Sequence, residues 1–165
     1  MYQLNRTPRE SFKQLCIIYI FFLLGILLFT GFVIFFVVIH DGGLFTTRFK
    51  SYEIVKWIFA VAVLALLAAN VYSYRKRIEN LDRSLPLDNK LIIYRNSYIV
   101  KIIGISFICM SIAVILLFYG QLNLIIPLVL FILYFLLIRP HTTRISDELY
   151  LSPGEHEELR QWYYK

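Results

Sequence analysis

Apolar residues run through this chain in four long blocks, the first three set apart by charged stretches and the last two by the uncharged "YGQ", with none of the polar–apolar alternation of barrel strands. The first, "LCIIYIFFLLGILLFTGFVIFFVVI", covers residues 15–39 without a charged side chain, and others occupy residues 54–71, 97–118 and 122–138. A helix rises about 1.5 Å per residue, so roughly 20 apolar residues cross a hydrocarbon layer of about 30 Å. A span in lipid must satisfy its own backbone groups, which selects helices. The pattern predicts an all-α integral membrane protein, a four-transmembrane-helix bundle. Residues 1–14 form an N-terminal tail, 15–138 the transmembrane domain with a basic loop over 72–96, and 139–165 a C-terminal tail.

The polar stretches add direction. Of 17 lysines and arginines, fourteen fall in the two tails and in the central loop with its edges. Only Arg48, Lys50 and Lys56 fall on the other side. Cations collect on the cytoplasmic face, so both termini and the central loop are expected there. Arg75, Lys76, Arg77 and Arg83, in "SYRKRIENLDRS", are the expected orientation determinants. Tyr52, Trp57 and Tyr119 would mark the outer interface, and Tyr72, Tyr74, Tyr94 and Tyr98 the inner one.

Composition agrees: the 165 residues are 59% hydrophobic and 17% charged, beyond the range of a soluble domain. The net charge of +6 then implies a bilayer with anionic lipids as partner, not nucleic acid. A bacterial cytoplasmic membrane is the expected location. Cys16 and Cys109 sit at different depths, so no disulfide is expected.

Pro140 should stop the fourth helix. In "LSPGEHEEL", Ser152 and Glu155 form a capping box with Pro153 at the first helical position. This predicts a short amphipathic C-terminal helix, with Leu159, Trp162 and Tyr163 near one face and the acids Asp147, Glu148, Glu155, Glu157 and Glu158 in water. The segment "KLIIYRNSYIVK", residues 90–101, fits either lead-in turns of the third helix or a short hairpin. The helical reading is preferred, since a lone hairpin is marginal.

Helices in lipid associate through close approach and polar contacts. Ala62, Ala65 and Ala69 share one face of the second span. On the third, Lys101, Gly104 and Ser111 share one face, and Ser106, Cys109 and Ala113 another. The third span is therefore expected at the centre, and the first, rich in Phe and Leu, against lipid. Lys101 is expected to snorkel toward water.

Candidate chemistry is sparse. His40 and Asp41 pair beside Gly42 and Gly43, without a nucleophile or further ligands. No nucleotide loop, zinc signature or nucleophile elbow occurs, so no cofactor, metal or catalytic residue is assigned. The expected function is non-enzymatic: contact within the bilayer with a partner membrane protein, as an accessory, regulatory or immunity-type subunit. In size, span number and cytoplasmic termini the chain is similar to the immunity proteins that block pore-forming bacteriocins, a likeness of plan without a shared motif. One alternative is a homo-oligomeric pore or membrane-disrupting effector, with Ser97, Lys101, Gly104 and Ser111 as its wettable stripe. The other is a small transporter or membrane enzyme.

Overall fold

The computed structural model describes residues 8–40, 42–44 and 52–164. Asp41, Arg48, Lys50, Arg6 and Lys165 lie outside the described residues, as do the side chains of Arg9, Tyr52, Glu53, Trp162 and Tyr163. The helices are α1 (Pro8–Ile39), α2 (Tyr52–Glu79), α3 (Leu87–Tyr119), α4 (Ile125–Leu137), α5 (Thr142–Leu149) and α6 (Pro153–Tyr164). A 3-10 turn over Leu122–Leu124 leads into α4, and no strand occurs among the described residues.

α1, α2 and α3 are each long and apolar enough to cross a membrane. α4 has 13 residues, about 20 Å at the helical rise. It passes the same test only when joined to the 3-10 turn and α5, from which it is bent by 81°. The chain thus carries three or four candidate spans.

Residues 72–96 are largely helix, which corrects the expected basic loop. α2 runs on to Glu79 and α3 starts at Leu87, leaving a turn over 80–86. The segment 90–101 is helical throughout. Its buried positions explain this: Leu87, Leu91, Tyr94, Tyr98, Ile102 and Ile105 recur at steps of three and four, which places them on one helical stripe. α5, eight residues with three polar side chains between apolar ones, was not anticipated by the hydropathy pattern.

α3 is the hub, with α1, α2 and α4 each packed against it. α1 turns Leu15, Tyr19, Ile26, Val33 and Val37 inward, and presents Ile17, Phe21, Leu28 and Phe35 outward. α2 is the least enclosed of the three long helices, less so even than α1. Both thiols are free, and Cys109 is buried beside Tyr19, Ile26 and Phe135.

At one end of the bundle, Gly120 ends α3 in the left-handed region at φ 64°, and its N–H donates to the Leu116 carbonyl at 2.8 Å. A Cβ on Gly120 or on Gly43 would overlap the other's backbone, so the chain just after α1 is pressed against the α3–α4 turn. The Leu44 N–H donates to the Leu117 carbonyl at 3.0 Å and fixes that contact. At the other end, the start of α1, the 80–86 turn, α5 and α6 gather. Arg95 reaches Gln14 at 3.4 Å, Tyr74 bonds Glu148, and Lys90 bonds Glu155 at 2.9 Å.

Candidate functional site

The polar side chains of the bundle converge at this second end. α4 stops after 13 residues, and its last carbonyls have no partner within the helix. Three side chains supply donors. The Tyr19 hydroxyl donates to the Phe135 carbonyl at 3.1 Å, the Tyr98 hydroxyl to the Ile138 carbonyl, and Arg144 Nη1 to the Leu137 carbonyl at 3.1 Å. Pro140 follows, and α5 leaves at a steep angle with the His141 ring accepting from the Thr143 N–H at 3.4 Å.

α5 brings Glu148 beneath the bundle. Its carboxylate accepts from the Tyr74 hydroxyl and from Arg144 Nε at 2.9 Å. Burial opposes ionisation of Glu148, but the bonds from Tyr74 and Arg144 outweigh it and hold the carboxyl below its ordinary value. Tyr94 stacks on Tyr98 with ring centroids 5.7 Å apart, and Tyr98 meets Tyr74 edge-on at 6.5 Å.

Lys101 is not extended toward water, contrary to the snorkelling expectation. Its side chain is buried, with Nζ 3.9 Å from the Tyr74 ring centroid and 6.0 Å from that of Tyr98. Two ring faces and the nearby Glu148 charge replace hydration of the ammonium. Tyr74, Tyr94 and Tyr98, expected at the inner interface, all gather at this end of the bundle, where each is buried among its neighbours. Glu148 and Glu155 leave the group of solvated acids, because each has a cationic partner.

The small residues divide. A Cβ on Gly104 would overlap the Asn70 amide, so this glycine sets how closely α2 approaches α3. Ser106 donates to the Ile102 carbonyl and Ser111 to the Phe107 carbonyl, each at 2.8 Å, so neither hydroxyl joins two helices. Ala62, Ala65 and Ala69 are all exposed. α2 meets α3 through Val63, Leu67, Asn70 and Tyr74, which puts the alanines nearly opposite at 100° per residue. They do not pack the bundle.

On another side, α2 and α4 enclose an apolar trough of about 350 Å³. Phe59, Ala60, Val63 and Leu64 of α2 face Pro127 and Phe131 of α4 across Ile112 and Ile115 of α3. A second hollow, between Leu67 and Val71 of α2 and Leu130 and Tyr134 of α4, continues it toward the other end. Sequence reading missed the trough, because nothing in a single helix records the distance to a neighbour.

Arg75, Lys76 and Arg77 are exposed near the end of α2, and the Arg83 guanidinium carbon lies 4.3 Å from the Tyr150 ring centroid. His40 is exposed and its ring lies tilted against Phe36, with 4.4 Å between centroids. Among the described residues, no three His, Cys, Asp or Glu side chains gather as a metal site would require. Comparison with known protein families, with curated proteins and with solved structures finds no match.

Proposed function

We propose that this chain crosses the membrane four times with both termini in the cytoplasm, and acts by receiving a helix of another membrane protein in the trough between α2 and α4. The carrying observation is that α2 packs chiefly on α3, while apolar hollows separate its 56–71 stretch from α4. Lipid tails are as apolar as these walls, so a protein helix gains by close packing and not by escape from water. Ala60 and Pro127 lower the walls enough for such an approach.

The threading is supported by position. Arg75, Lys76, Arg77, Arg83, Lys90 and Arg95 belong to the end where α1 begins and α5 and α6 sit. That end carries most of the cations and is assigned to the cytoplasm. On this reading α4 and the 3-10 turn form a short fourth span, with thinning of the bilayer or tilt making up the mismatch.

The pore alternative needs Ser97, Lys101, Gly104 and Ser111 on a wet outward face. Lys101 and Ser97 are buried, Gly104 lies on Asn70, and Ser111 bonds its own helix, which favours the accessory role.

Photo-crosslinking from Ala60 and Leu64 in the native membrane tests the proposal, with Phe21 and Leu28 on α1 as outward controls. Adducts to one different membrane protein from the α2 positions alone are expected. Adducts only to identical chains would replace this reading with self-association.

A further inference from the structure

At the cytoplasmic end of α2, on the side away from the trough, the flank between α2 and α3 opens into a polar cleft of about 690 Å³. Ser73, Lys76, Arg77 and Asn80 line it from α2 and the turn that follows, and Asn96 and Ser97 from α3. No acidic side chain among the described residues lines it. Among the described residues, Lys76 and Arg77 have no carboxylate within ion-pair distance, whereas Lys90, Arg144 and Arg160 each have one. Two cations without a carboxylate partner, Lys76 with its ammonium 6.0 Å from the Tyr72 ring centroid, stand beside four amide or hydroxyl side chains, which is chemistry that suits a phosphodiester.

What adjoins the cleft decides the source of that phosphate. Steps of three and four residues carry its α2 wall from Lys76 and Ser73 up to Ala69, Ala65 and Ala62, all exposed. The same steps carry its α3 wall from Asn96 to Val100, Ile103 and Phe107, which are 45%, 48% and 62% exposed. By helical spacing these low alanines and taller apolar side chains lie on the same flank as the cleft, on the side of it toward the middle of the helices. Free phosphate would use the cleft alone.

We infer that this flank binds an anionic glycerophospholipid of the cytoplasmic leaflet, its phosphate between Lys76 and Arg77 and one acyl chain against Ala65, Ala69, Ile103 and Phe107. The site is independent of whatever occupies the α2–α4 trough. It gives the alanine stripe, which is exposed among the described residues, a lipid chain as neighbour.

The test reconstitutes the full chain into phosphatidylcholine vesicles holding a trace of spin-labelled phosphatidylglycerol or spin-labelled phosphatidylcholine. The motionally restricted fraction then reports selectivity. A cation near an anionic surface is worth roughly a fivefold preference, so the native chain should favour phosphatidylglycerol by about five- to thirtyfold. In K76Q/R77Q the preference should fall to about one. In R83Q/R160Q, which loses the same charge outside the cleft, it should persist. S73L/N96L keeps both cations but fills the cleft, and should lose selectivity as well, which guards against misfolding of the first variant. Equal loss in R83Q/R160Q would reduce the effect to diffuse surface charge and overturn the site. So would retention in K76Q/R77Q. Displacement of the labelled lipid by millimolar inorganic phosphate would identify a soluble anion as the ligand and overturn the lipid assignment.

Discussion

The Lys101 ammonium lies 3.9 Å from the centroid of the Tyr74 ring, and the hydroxyl of that same ring donates to Glu148. One tyrosine thereby presents its face to a cation on α3 and its edge oxygen to an anion on α5. Removing that oxygen leaves the stacking and breaks the link to α5. Tyr74→Phe should cost about 1–2 kcal/mol, in the range for a part-buried hydrogen bond to a charged group. A double-mutant cycle of Y74F with E148Q, read by reversible unfolding in detergent micelles, should return a coupling of about that size. Additive effects would show that the two side chains do not act together.

Gly104 and Asn70 set the distance between α2 and α3. Gly104→Ala should destabilise by about 1–3 kcal/mol through overpacking, since the Asn70 amide occupies the space of the added methyl. Asn70→Ala removes that amide, whose buried Oδ1 has no hydrogen-bond partner. The double variant N70A/G104A should therefore be more stable than G104A alone. A double variant no better than the single one would place the strain elsewhere.

Lys90 and the Ser152 N–H hold the Glu155 carboxyl below its ordinary value. The sign follows from that lowering. Attachment of α6 is fully supported above the ordinary glutamate value, and the support is lost as pH falls through the lowered one. A carbon-detected NMR titration of Glu155 should show the depressed midpoint, moving upward in Lys90→Met. Ser152→Ala should separately weaken α6 by about 1 kcal/mol, visible as faster amide exchange in its first turn.

The threading can be read with single cysteines in a C16A/C109A background. Leu44→Cys should react with a membrane-impermeant maleimide on intact cells, and Asn80→Cys only after permeabilisation. The reverse labelling would invert the assignment of the basic end.

The apolar blocks made the long helices legible in the sequence, and Ser152 with Glu155 made α6 legible: the Ser152 N–H donates to Glu155 at 2.8 Å and the Glu155 N–H to Ser152 Oγ at 3.4 Å. What escaped has a common cause. Hydropathy averages over a window, so Arg75, Lys76 and Arg77 read as loop although they continue α2. The stripe from Leu87 through Tyr98 carries the helical period, and counting those steps would have extended α3 to its start. Glu148 resembles its neighbour Asp147 in sequence, yet one is bonded to Tyr74 and the other is exposed. Residues 74 and 148 are joined only by the 81° bend after α4, which no local pattern encodes.

The hub position of α3 also dictates an order of manufacture. α1 and α2 emerge from the ribosome before the helix against which each of them packs. Until α3 has been made, the Asn70 amide lacks the Gly104 backbone against which it packs. The first half of the chain thus has no finished structure of its own. A product truncated before α3 lacks the helix on which α1 and α2 both pack.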